Sequence, residues 1–306
     1  MSLKKIFLPA GLITAVLSAL SFPEPGTALK NSDTVPLLAA MIFLVNGYKI
    51  KFAAFRPGRK LVYAFSLTLL ISLGFGPFLG LTAAVVYKLS PVFTLGLIII
   101  SAAPTTLSSA TVITELSSGN IVWALFFTIG LNIAAVFTIP LTLNSALSVN
   151  SSISVNSSAL LIKLVLIVLL PLAAGYTAQQ IIKKQLPALL SYIPSLCVIL
   201  TVWATLSASA RQIKWQPQLL YLILAAVSVH TVLLLLNYIS GSLLKLSVPD
   251  KKAVLFTGSQ KTLPIAVSVL AMLKQKNIGA AVIVFIVFHF FQLIFDSTLA
   301  VRMTAK

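Results

Sequence analysis

Apolar residues run along this chain in long unbroken blocks, without the alternation of a half-buried strand or the one-sided stripe of a surface helix. Crossing a bilayer as a helix takes roughly 20 mostly apolar residues. The sequence divides into ten blocks of about that kind, at 6–22, 34–50, 61–85, 91–117, 120–142, 159–180, 188–209, 218–240, 253–273 and 277–299. The fourth is too long for one straight span and is interrupted at Pro104-Thr105-Thr106-Leu107-Ser108-Ser109. The ninth is interrupted in the matching place, where the chain reads Thr257-Gly258-Ser259-Gln260-Lys261-Thr262-Leu263-Pro264. Proline removes a backbone donor and glycine weakens a helix, so Pro104, Gly258 and Pro264 are the residues expected to break these two helices.

The long polar connection from Asn144 to Ser158 is rich in Ser and Asn and leaves five blocks on either side of it. An odd number of crossings per half means that the second half enters the membrane from the opposite face, the arithmetic of an inverted repeat. The expected fold is an all-α integral membrane protein, one transporter domain over 1–306. Its ten transmembrane helices form two inverted five-helix repeats, approximately 1–142 and 159–306, with helices 4 and 9 broken.

Composition agrees with this pattern: 58% of the 306 residues are hydrophobic and 9% charged, with a mean hydropathy of +1.05. The formal charge of +17 does not indicate nucleic acid, because the basic residues are spread over membrane loops and not gathered on one water-facing surface. They carry orientation instead. With the N-terminus inside, fourteen Lys and Arg fall on the inner side and six on the outer, so both termini are expected in the cytoplasm, in a cytoplasmic (inner or plasma) membrane. The first block follows Lys4 and Lys5 and reads as a retained helix rather than a cleaved signal. The single cysteine, Cys197, allows no internal disulfide and reads as a small core residue. Arg302 and the loop lysines suit anionic lipid, and Lys163 reads as a snorkelling residue.

Lys261 is the residue that composition does not explain. It lies about 12 Å along its block at 1.5 Å per residue, near the middle of a hydrocarbon core about 30 Å thick. The five acids, Glu24, Asp33, Glu115, Asp250 and Asp296, are all read as lying away from midplane, so no internal counter-ion is expected. Three roles stay open: the ammonium meets an anionic substrate, it gives up a proton during a cycle, or it is a fixed structural cation on helix-end carbonyls. Around Pro104, the hydroxyls of Thr105, Thr106, Ser108, Ser109 and Thr111 stand where backbone groups are freed, and they can serve a small cation, a substrate or the kink itself. His289 and Gln292 stand one turn apart on the last block, as Thr128 and Asn132 do on the fifth. His289 can bind substrate, carry a proton or make one interhelical bond; His230 is expected to pack. No carboxylate cluster, metal-ligand spacing or phosphate-cradling loop suggests an enzyme.

At these residues the chain resembles the bile acid:sodium symporter superfamily, and within it the sodium/bile-acid cotransporter 7-like branch. The specific elements are Gly258 to Leu263, Pro104 to Thr114 followed by Gly119-Asn120, His289-x-x-Gln292 and Asn46-Gly47-Tyr48. The resemblance implies a panel of segments 1, 2, 6 and 7 and a core of 3–5 and 8–10, with segments 4 and 9 unwinding and crossing where sodium and an organic anion bind. It implies substrate contacts from Lys261, Gln260, Ser259, Thr262, Ser108, Ser109 and His289, and weaker ion contacts from Thr111, Thr128, Thr257 and Gln260. No cofactor is expected beyond sodium or a proton as coupling ion. The sodium-coupled members carry a glutamate where this chain has Phe256, and a neutral Asn where it has Lys261. Losing an anionic oxygen ligand and gaining a cation makes sodium coupling doubtful. The alternative function is a membrane regulatory or scaffold protein that keeps the fold and moves nothing.

Overall fold

The computed structural model describes residues 3–32, 34–50, 58–106, 109–148, 156–184, 187, 189–208, 210, 218–273 and 280–304. Among them it is all-helical, without strands. The helices are α1 (Leu3–Ser21), α2 (Pro23–Asn31), α3 (Thr34–Lys49), α4 (Arg59–Val86), α5 (Pro91–Ala102), α6 (Ser109–Leu116), α7 (Ile121–Ser148), α8 (Ser157–Ile182), α9 (Ile193–Ser207), α10 (Gln218–Leu243), α11 (Val248–Ser259), α12 (Leu263–Met272) and α13 (Ala281–Thr304). Six spans are long and apolar enough to cross a membrane, α11 and α12 counting together as Val248–Met272; a seventh is the pair Ala10–Ser21 and Pro23–Asn31, bent by 101°. The expected count of ten is not reached at full length. α3, α5 and α9 are apolar but span only 16, 12 and 15 residues.

The chain forms two compact units. One contains Met1–Ala54, Asn156–Trp215 and Pro264–Ile283, and so holds α1, α2, α3, α8 and α9. Here small residues let helix backbones touch: a Cβ on Gly47 would lie 2.1 Å from the Leu172 carbonyl oxygen, and one on Gly175 would lie 2.0 Å from that of Leu44. Such close approach replaces a hydrophobic driving force that lipid cannot supply.

The other unit contains Phe55–Val155, Gln216–Leu263 and Val284–Lys306. Leu61, Ala64, Phe127, Leu246 and Val254 make one apolar cluster in it; Ile113, Leu234, Leu255, Phe256 and Ala300 make another. Phe256 is fully buried in that second cluster, so the position where sodium-coupled relatives place a carboxylate is dry and filled. Gly258 does not break a helix. It sits inside α11, and a Cβ there would lie 2.1 Å from Asn237 Oδ1 on α10. A glycine that weakens a helix also lets a neighbour close on it, and the second effect is the one seen.

Candidate functional site

Both interruptions lie in the second unit, and they cross. α5 ends at Ala102, and Ala103 is extended, with φ −65° and ψ 148°. Pro104 follows, buried. Its carbonyl accepts the Thr262 N–H at 2.7 Å, a backbone bond from one unwound stretch to the other. The chain resumes as α6 with Thr106 as its cap: Ala110 N–H donates to Thr106 Oγ1 at 3.0 Å. Asn132 on α7 donates its amide to the Thr105 carbonyl at 3.0 Å and to that of Thr128 at 2.8 Å. Three oxygens beside this break, Thr105 Oγ1, Thr128 Oγ1 and Asn132 Oδ1, are buried without a hydrogen-bond partner.

The second break is closed by a single side chain. α11 ends at Ser259, and Gln260 turns extended, with φ −69° and ψ 149°. That leaves the Lys261 peptide groups outside any helix and fully buried, where orphaned backbone is costly. Gln292 on α13 takes both: its Oε1 accepts the Lys261 N–H at 2.8 Å, and its Nε2 donates to the Lys261 carbonyl at 2.8 Å. The same Nε2 lies 3.1 Å from His289 Nδ1.

The Lys261 ammonium reaches α4. It donates to the Ser72 carbonyl at 2.7 Å and to Ser72 Oγ at 3.0 Å. That carbonyl is free because α4 widens to a π turn over Leu70–Phe75, where the Gly76 N–H bonds Ile71 O five residues back. The next residue that could serve Ser72 is Pro77, which has no N–H. Among the described residues no carboxylate pairs with Lys261. Of the three roles left open by the sequence, the one seen in this structure is a cation resting on helix carbonyl oxygen.

Gln260 ties the two breaks together. Its Oε1 accepts from Thr106 Oγ1 at 3.0 Å and Ser109 Oγ at 2.9 Å, hydroxyls that also touch each other. Its Nε2 donates to Asp296 Oδ2 at 2.8 Å. Asp296 is fully buried, and its other oxygen lies 2.8 Å from Nε2 of the equally buried His230. This overturns two expectations: an acid does lie in the protein interior beside the crossing, and His230 does more than pack.

Gln260, Lys261 and Ser109 are thus brought together, with His289 one contact away through Gln292. Ser259 Oγ donates to its own helix at Leu255 O, and Thr257 Oγ1 to Ala253 O. Thr262 contributes its N–H to the crossing. Thr111 lies half-buried on α6. Pro264 stands in the first turn of α12, where its fixed φ suits a helix start. Ser108 lies outside the described residues. Gln292, Asp296 and Ser72 complete the arrangement. His289, Gln292 and Asp296 are spaced i, i+3 and i+7, one face of a helix, and that spacing marks the polar face of α13.

The model of the SBF-like CPA transporter family matches residues 7–305, both breaks included. The chain belongs to this family. The resemblance drawn from its motifs points to the same bile acid:sodium symporter type. The chain is also similar to a probable sodium/metabolite cotransporter BASS4, chloroplastic, of Arabidopsis thaliana, at 27% identity over 96% of this chain and 71% of that protein. A rice protein (Oryza sativa subsp. indica) of the same description is 27% identical over 95% of this chain and 74% of its own. An uncharacterized protein, PA2026, of Pseudomonas aeruginosa is 26% identical over 97% and 93%. As a member of this transporter family with several apolar spans, the chain is a multi-pass membrane protein.

Proposed function

We propose that the chain is a secondary active transporter of a small organic anion that works by alternating access, with sodium coupling weak or absent. The observation that carries this reading is the Lys261 ammonium, buried at the second break and held only by uncharged oxygens of Ser72. A hydrogen bond from an ammonium to a carboxylate is roughly twice as strong as one between neutral groups. An organic anion therefore has a gain to offer that Ser72 does not. Gln260, Ser108, Ser109, Thr262 and His289 lie on or next to the same breaks and would shape the site, with amides at the start of α6 adding donors. The names of the plant relatives suggest a metabolite as cargo.

Ten crossings in two inverted halves would be made up from the long spans together with the shorter α3, α5 and α9. One helix bundle would rock against the other around the crossing. The loop charges favour the cytoplasmic membrane with both termini inside. With Phe256 where relatives keep a glutamate, Lys261 stands in for a coupling cation, and transport is proton-linked or uncoupled. Sodium, if it binds, would draw on Thr128, Thr111, Thr257 and Gln260.

The test is thermal stability of the purified protein across a panel of small organic anions, followed by liposome uptake of the strongest stabiliser. A stabilising shift that disappears in Lys261→Gln, with uptake unchanged when choline replaces sodium, is expected. Strong sodium dependence retained in Lys261→Ala would sink the assignment of the lysine. The second reading, a scaffold that moves nothing, draws on the complete internal satisfaction of the second break. It gains if no anion in the panel stabilises the protein.

A further inference from the structure

We propose that His230 and Asp296 form a proton-binding pair that acts on both helix breaks through Gln260. Three features of the pair point this way. His230 Nε2 and Asp296 Oδ1 are 2.8 Å apart with neither side chain exposed. His230 Nδ1, by contrast, is buried with no partner at all. The second carboxylate oxygen is spent on Gln260 Nε2, whose Oε1 holds Thr106 and Ser109.

The bonding pattern sets the starting state. A neutral imidazole with its proton on Nε2 donates to the carboxylate and leaves a lone pair on Nδ1, an orphan acceptor. An added proton forms the Nδ1–H bond and converts the ring to imidazolium beside the carboxylate, so the pair goes from net −1 to zero. The pair titrates as one unit, since the shared proton can sit on Oδ1 or Nε2. Neutralising the pair weakens the pull of Asp296 on the Gln260 amide and so loosens the grip of Gln260 on the first break. The rings of Phe288, Phe291 and Phe295 stand edge-on to the imidazole, with centroids 5.9, 5.9 and 6.2 Å away. This apolar wall closes the site to water, so a proton enters or leaves only when the α10–α13 contact opens.

Asp296 is the charged group that faces His230. Lys261 is turned to Ser72 and His289 to Gln292. Lys252 is spent on the Ser117 and Met303 carbonyls, Tyr87 on Ser228, and Asp250 on Asn120 and Ser247. Lys251 lies over the Tyr238 ring, and Arg59, Lys60, Tyr63 and Arg302 are exposed. The coupling role rests on the transporter reading above; the proton site itself does not.

The chain has two histidines, so ¹⁵N-histidine protein in lipid nanodiscs gives two imidazole signal sets, assigned by loss of one in His289→Gln. Between about pH 5 and 9, His230 is expected to pass from the Nε2–H tautomer to imidazolium. In Asp296→Asn the transition should move by about one pH unit or more, the usual size of a neighbouring-charge effect. A His230 fixed in one state across that range, or titrating identically in Asp296→Asn, overturns the pair. The link to the breaks is read by thiol labelling of Ser109→Cys in a Cys197→Ser background. Labelling should change several-fold with the histidine transition, and a flat profile overturns the link. Neither measurement needs a substrate, so their failure is distinct from a failure of anion transport.

Discussion

The two helix breaks meet through a backbone hydrogen bond, yet they are left in different conditions. At the second, each buried polar group is used: Gln292 takes both peptide groups of Lys261, Pro104 takes the Thr262 N–H, and Ser72 takes the ammonium. At the first, Thr105, Thr128 and Asn132 hold buried oxygens with no partner. Unmade hydrogen bonds in a dry interior are costly, so the first break carries unspent acceptor capacity while the second is locked by the protein itself. A cation would be served at the first break without loss of any existing bond. An anion at the second must displace Ser72 from Lys261.

This contrast is best broken at Gln292. Gln292→Leu orphans a buried N–H and a buried C=O together, at about 1–3 kcal/mol each. Thermal unfolding in detergent should show a loss of about 2–5 kcal/mol, and an unchanged melting temperature would mean that the second break is not locked as described. A smaller effect is expected one turn before the break. Gly258→Ala places a methyl against Asn237 and should cost about 1–3 kcal/mol by overpacking, recovered in part when Asn237 is also changed to Ala. The smallest effect belongs to the first break. Thr128→Val replaces an unpartnered hydroxyl with a methyl of the same shape and should stay within about 0.5 kcal/mol without added cation. Comparing melting in sodium and choline salts sharpens the point: a stabilisation by sodium present in the wild type and lost in Thr128→Val would place a cation at the first break.

The breaks themselves are legible in the sequence, because a lysine, a proline and a run of hydroxyls violate the composition of an apolar span. Asp296 is not, because position counts from a block's edge. The last apolar block ends near 299, which puts Asp296 beside a membrane surface, whereas α13 continues to Thr304 and buries it about 12 Å from the helix end. His230 is missed for a related reason: a lone histidine in a long apolar run has no visible partner until the fold brings a residue 66 positions away against it. Gly258 is legible as special but ambiguous in kind, since flexibility and close approach demand the same residue. The Gln292 bridge could be suspected from its spacing to His289, but its partner is backbone, which carries no sequence signal.

The widened turn in α4 has a further consequence, one of chain length. A π turn holds one residue more than the α turn it replaces. Deleting any one residue between Leu70 and Phe75 would restore ordinary helix and rotate everything beyond it by about 100°. That rotation would carry Gly76 and Gly80 away from the α5 backbone that they admit and return the Ser72 carbonyl to the helix. The place where the buried ammonium rests is therefore fixed by a count of residues, and an insertion or deletion of one can create or erase it while the lysine stays unchanged.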